Sequence, residues 1–152
     1  MGDFIFFKPY SIFIFMEFND CVQPGMTGEK ITLVTEQLSA HAWGSGGIPV
    51  YSTPGMVALM EGACVNAVDP ALPEGFSTVG TELAVTHIAA TPLGMQVRAT
   101  GVLLEVQERK LRFQVEAFDQ SGKIGEGTHS RCIIENERFL KKAQAKQGSP
   151  RN

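Results

Sequence analysis

The chain has 152 residues, 43% of them hydrophobic and 19% charged, enough for one domain with a core of its own. A formal net charge of -3, with no basic cluster beyond Lys141-Lys142, argues against a nucleic-acid partner. Cys21, Cys64 and Cys132 are far apart and odd in number; they offer no disulfide framework and no C-x-x-C motif, which fits a reducing, cytoplasmic compartment.

The first fifteen residues stand apart from the rest. Phe4–Phe7 and Ile12–Phe15 are two apolar bursts split by Lys8-Pro9. Asp3 sits where a signal peptide carries positive charge, and a membrane span needs roughly 20 apolar residues, which this stretch lacks. Translation is expected to begin at Met16, making residues 1–15 a dispensable extension. Residues 16–146 should form a single domain with no membrane partner, and 147–152 a disordered tail; the rival reading of residues 1–15 is a weak membrane-surface anchor.

Alternation over Glu29–Gln37 predicts a first strand. Ser39–Val50, with Gly44, Gly46, Gly47 and Pro49, reads as a mobile loop. Thr53 is a suitable N-cap before Pro54, and Met56–Val68 is apolar almost all round, the pattern of a buried helix; Asp69-Pro70 ends it. Phe76–Ala89, Met95–Gln107, Lys110–Asp119 and Lys123–Ile134 predict four long strands, clearest where Leu111, Phe113, Val115 and Ala117 alternate with polar residues. The short connections favour antiparallel neighbours. Glu135–Lys146 suggests a closing polar helix. The fold class is therefore α+β, a curved antiparallel sheet of about five strands wrapped around one buried helix. One sheet covers only part of such a helix, and a homodimer is the natural cover for the remainder.

Three residues in this plan could carry chemistry. Glu61 lies in the middle of the apolar helix, where its neighbours one turn away are Val57, Ala58, Cys64 and Val65; a carboxylate there needs a partner or a proton. A structural partner, such as backbone amides or an arginine, competes evenly with a functional one. With period 2, His87 shares a face with Val79, Thr81, Leu83 and Val85, the side expected to meet the helix. A lone histidine there is more often a satisfied core residue than a catalyst. A second ionisable group aimed at the same space from the helix strengthens the catalytic reading. Thr53, about two turns before Glu61, lies at the helix mouth, where backbone N–H groups and the dipole favour negative charge.

Other motifs fail. Gly75–Gly80 has the wrong spacing for a nucleophile elbow, and Gly125-Glu126-Gly127 lacks the third glycine of a dinucleotide loop. His41, His87 and His129 share no metal-ligand spacing, so no metal is assigned; His41 and His129 read as solvent or interface residues.

Four stretches together resemble a known family. These are Thr53–Cys64 (TPGMVALMEGAC), Ser77–Thr81 (STVGT), Val85–Gly94 (VTHIAATPLG) and Ile124–Arg131 (IGEGTHSR). In order and spacing they are similar to the fluoroacetyl-CoA-thioesterase-like hot-dog proteins, over about Gly25 to Lys142. The resemblance implies a hot-dog fold and a homodimer whose active sites lie at the subunit interface with CoA along it. The implied activity is hydrolysis of an acyl-CoA thioester without a cofactor, the thioester being the substrate. It puts the catalytic threonine, glutamate and histidine on Thr53, Glu61 and His87, the active-site glycine on Gly80 and the arginine on Arg131. The specialised fluoroacetyl-CoA enzyme has phenylalanines in a lid ahead of its threonine; here that stretch is Trp43–Ile48 and has none, which favours a general acyl-CoA thioesterase. Two alternatives share the fold: a non-catalytic acyl-CoA-binding protein and, behind it, an enoyl-CoA hydratase.

Overall fold

A computed structural model describes residues 18–148, so the expectations for residues 1–15 and for the end of the tail fall outside the described residues. Five strands and one long helix carry the architecture: β1 (Thr27–Leu33), a short α1 (Ala40–Trp43), α2 (Thr53–Val68), β2 (Phe76–His87), β3 (Gln96–Gln107), β4 (Lys110–Asp119), β5 (Gly122–Glu135) and α3 (Asn136–Gln144). A turn over Ala145–Gly148 carries helical backbone two residues past the expected domain end at 146. All strands lie in one antiparallel sheet, ordered β1-β3-β4-β5-β2. The α+β plan of a sheet packed on a long helix is therefore as expected.

One expected neighbour relation is not found. β2 and β3, separated only by residues 88–95, lie three strands apart, and β2 pairs instead with β5. The short connector did not demand adjacency. Eight extended residues reach about 26 Å, while three strand spacings need only about 14 Å. The crossing is tied down where Ile88 N–H donates to Ile124 O at 2.7 Å and Val50 bridges Pro92.

The start of α2 also departs from expectation. Its N-cap is Ser52, whose Oγ accepts the Gly55 N–H at 3.0 Å, and Thr53 is the first helical residue. With the capping done by its neighbour, the Thr53 hydroxyl is released for another partner.

Two glycines set how deeply α2 seats. A Cβ on Gly101 would lie 2.7 Å from Cys64 Sγ, and one on Gly28 would overlap the Ala63 carbonyl. The helix thus rests on the bare backbone of β1 and β3. It buries Met56, Leu59, Met60, Ala63, Cys64, Ala67 and Val68 against Val97, Ala99, Leu103, Phe113, Val115 and Ala117. Each large side chain among these contributes about 1.5–3 kcal/mol of apolar burial. The other side of α2 is open within one chain: Thr53, Ala58 and Asn66 are exposed, and Val57, Glu61 and Val65 only half-buried.

β2 does not keep a single face. The register with β5 slips between Gly80 and Glu82, leaving Thr81 as an extra residue. Below this bulge Thr78 is buried; above it Leu83, Val85 and His87 are the half-buried positions, between exposed Glu82, Ala84 and Thr86. The period-2 reading that grouped His87 with Val79 and Thr81 holds only back to Leu83, because an inserted residue exchanges the inner and outer sets.

Candidate active site

The expected mobile loop is structured where it approaches the site. Ser39 caps α1 by accepting the Ala42 N–H at 3.1 Å, Gly44 ends it with φ 65°, and Ser39 and Val50 bridge to Tyr51 and Pro92. Tyr51 N–H donates to Thr91 O at 2.8 Å, immediately before the Ser52 cap. Trp43 and Ile48 remain 50% and 65% exposed, so the stretch without phenylalanine still presents large apolar groups.

At the start of α2, Thr53 Oγ1 lies 2.8 Å from His87 Nδ1 at the end of β2. A hydroxyl this close to an imidazole nitrogen can give it a proton, the arrangement of an activated nucleophile or of a polarised hydrogen-bond donor. Burial holds the His87 pKa below the usual imidazole value, opposed in part by the Ala89 backbone, so the neutral base form is favoured. Its other nitrogen, Nε2, is buried without a hydrogen bond among the described residues.

The helix mouth offers an oxyanion less than its position suggests. Pro54 has no N–H, the Gly55 N–H is given to Ser52 Oγ, and the Met56 N–H to Ser52 O at 3.0 Å. The dipole remains, but these amides are committed.

Glu61 is held elsewhere. Its Oε2 accepts from Arg131 Nη1 at 3.4 Å, so of the two readings offered by the sequence an arginine is its partner within the chain. Arg131 is fixed by more than Glu61. Its Nε donates to Thr78 Oγ1 at 2.8 Å, its Nη2 to Thr78 O at 2.9 Å, and its Nη1 meets His129 Nε2 at 3.0 Å. Thr78 Oγ1 donates in turn to Asp69 Oδ1 at 2.6 Å. The Arg131 side chain is 5% exposed and that of Glu61 41%, so the guanidinium is rooted in the protein while the carboxylate reaches outward. With one partner that open, the ion pair itself contributes at most about 1 kcal/mol; the other hydrogen bonds do the holding.

Gly80 belongs to this second cluster. A Cβ there would lie 3.1 Å from His129 Cε1 and 3.2 Å from Glu61 Oε2. The bare backbone leaves that space beside the carboxylate clear. Cys64 also lies near, but burial pushes its thiol pKa up to about 12, against the pull of Arg131, so it is a packed thiol and no nucleophile.

The sequence-predicted residues thus fall into two groups within one chain. Thr53 and His87 meet; Glu61, Gly80 and Arg131 meet; Glu61 and His87 do not bond to each other. His129 corrects the expectation of a solvent or interface residue: it is 2% exposed and part of the Arg131 cluster. The signal that could have found it is its place two residues before Arg131, on the same face of one strand. Thr78 and Asp69 gave no such signal. His41 is exposed, as read. No group of three His, Cys, Asp or Glu residues able to hold a metal occurs among the described residues, and no helix there is long and apolar enough to cross a membrane.

This arrangement of a five-stranded antiparallel sheet packed on one long helix is that of the hot-dog thioesterase superfamily. A hot-dog-like protein from Thermanaerovibrio acidaminovorans superposes with a TM-score of 0.78 at 24% identity, over 90% of this chain and 100% of that one, a likeness of fold. The structure of the fluoroacetyl-CoA thioesterase FlK superposes with a TM-score of 0.75 at 36% identity, over 85% of this chain and 98% of the other. The fluoroacetyl-CoA thioesterase of Streptantibioticus cattleyicolor is 45% identical over 97 residues, 64% of this chain and 70% of that protein. The family described as fluoroacetyl-CoA-specific thioesterase, FlK, matches residues 34–137. The chain belongs to that family of thioester hydrolases.

Proposed function

We propose that this protein hydrolyses an acyl-CoA thioester to a carboxylic acid and free CoA, with Thr53, His87 and Glu61 as its catalytic residues. The observation that carries this reading is the 2.8 Å contact between Thr53 Oγ1 and His87 Nδ1 beside an imidazole kept neutral by burial. FlK structures that hold acetyl-CoA, or fluoroacetate together with CoA, support the substrate class. In the reaction His87 takes a proton from Thr53 or from a water, the carbonyl carbon is attacked, and the C–S bond breaks. The imidazolium then returns the proton to the CoA thiolate. Gly80 N–H and the α2 dipole stabilise charge on the carbonyl oxygen, and Arg131 holds Glu61 ready to activate or orient the water that completes hydrolysis. Trp43–Ile48 carries no phenylalanine, which supports a general acyl-CoA substrate in place of fluoroacetyl-CoA.

The active unit is a homodimer with the site at its interface. Thr53 and Glu61 are eight helical residues apart, about 12 Å of rise, so one chain does not converge all three groups on one carbonyl. The exposed side of α2 and the outer edge of β2, where no strand pairs among the described residues, supply the joining surfaces, with the edge open to pairing by a second copy. In that arrangement Glu61 of one copy serves the Thr53–His87 pair of the other.

Thiol release from a chain-length panel of acyl-CoAs tests the activity. Binding without release would favour an acyl-CoA-binding protein, and water addition to crotonyl-CoA without thiol would favour a hydratase. Mixing inactive Glu61→Ala and His87→Ala subunits tests the shared site: activity should return, because one site per mixed dimer regains all three groups. No recovery in proven mixed dimers would sink the shared site.

A further inference from the structure

His129 is fully engaged, and its partners dictate its state. Nε2 lies 3.0 Å from Arg131 Nη1, and Nδ1 lies 2.8 Å from the Glu82 carbonyl oxygen. A guanidinium nitrogen only donates and a carbonyl oxygen only accepts. Nε2 must therefore be the bare acceptor and Nδ1 must carry the proton. A doubly protonated ring would turn Nε2 into a donor facing a donor and set two cations 3.0 Å apart.

From this geometry we infer that His129, locked as the neutral Nδ1–H tautomer, is a positioning residue that steers Arg131 and through it the Glu61 carboxylate. The proposal rests on the reading of Glu61 as part of the thioesterase site. Arg131 Nη1 is the atom shared between His129 and Glu61, so the acceptor on one side fixes the direction of the donor on the other. Gly80 packs against both His129 and Glu61, which places the three groups around one small space.

The surroundings support a neutral ring. β5 brings the Arg131 cation; α2 brings Glu61 and the thiol of Cys64; β2 brings Glu82 through its carbonyl, and Asp69 stands behind Thr78; β4 places apolar Phe113 opposite. Burial is the largest effect holding the His129 pKa below its usual value, and Arg131 adds to it, while the Glu82 contact and Glu61 oppose it. The Thr81 bulge lies where β2 meets His129, next to the carbonyl that binds Nδ1.

Two isosteric variants separate the roles of the two nitrogens. His129→Gln can present an amide oxygen near Nε2 and keep an acceptor for Arg131. His129→Asn can present a donor near Nδ1 and removes that acceptor. The expected result is acetyl-CoA turnover within about threefold of the parent for H129Q, and a loss on the order of ten- to hundredfold in kcat for H129N, with KM little changed. Both should unfold at similar temperatures. Histidine ¹⁵N spectra of the parent should show His129 as the Nδ1–H tautomer, taking its second proton only below the usual imidazole range. Crystal structures of both variants read the Arg131–Glu61 contact without turnover: kept in H129Q, displaced in H129N. An Nε2–H or charged His129 in the parent overturns the proposal, as does equal turnover or equal Glu61 placement in the two variants. A parent inactive on every acyl-CoA would refute the thioesterase reading alone, since the spectra and structures still decide the steering.

Discussion

The two polar clusters along α2 are built on opposite plans. Thr53 and His87 share one hydrogen bond, come from a helix start and a strand end, and stand at the rim of the fold. Around Arg131 every guanidinium nitrogen is engaged, on partners from β2, β5 and α2. A group held by one bond can trade that bond for a reacting proton. A group held by several keeps its place while others react. The difference separates the part of the site suited to proton transfer from the part suited to holding a charge still.

The largest effect should come from the loosely held pair. His87→Ala is expected to lower thiol release by about 10²–10⁴-fold while shifting the unfolding temperature little, and a folded variant with parent turnover would remove His87 from the chemistry. Arg131→Met attacks the other cluster and should act first on stability. Thr78 and His129 lose their partner, costing on the order of 2–4 kcal/mol in denaturant unfolding. A variant as stable as the parent would mean the network is not holding anything. Next comes Ser52→Ala, which removes the α2 cap and should cost about 1 kcal/mol. Thr53→Ser keeps a hydroxyl beside His87 and should retain most of the activity, whereas Thr53→Ala should fall as far as His87→Ala only if Thr53 is the nucleophile. Single-turnover acyl transfer distinguishes these outcomes.

Acidity gives a further test. His87 and His129 are both held below the ordinary imidazole value, chiefly by burial. Between the depressed folded value and the unfolded value of about 6.5 the unfolded chain binds more protons, so stability should fall as pH drops through that window and be fully present above it. Activity should likewise persist below pH 6.5 before it fails. A decline in kcat/KM centred at the ordinary imidazole value would contradict the burial of His87.

Much of this is legible in the amino-acid sequence. The apolar run of α2, the alternation of β4 and the four stretches that resemble the hot-dog thioesterases are local patterns, and local patterns survive in a sequence. What could not be read was the competition between neighbours for the same job. Ser52 and Thr53 are both capable caps, and only the backbone at the helix start decides which one serves. Glu61 was legible as a carboxylate in need of a partner, but the choice of Arg131 depends on a strand that follows 70 residues later. His129 looked peripheral because nothing in a single chain pattern says that Glu82 would turn its carbonyl toward it.

The extra residue in β2 works like a shift of reading frame. Each half of the strand is spelled in alternating letters, inside and outside, and Thr81 is the inserted character that lets the second half be read out of phase with the first. Absorbing Thr81 into a regular ladder, with no residue left over, would put every downstream residue on the wrong side of the sheet: Thr86 would turn toward Thr53 and the imidazole of His87 away from it. Any attempt to move this site onto a plainer sheet would therefore have to carry the interruption across or leave Thr81 out.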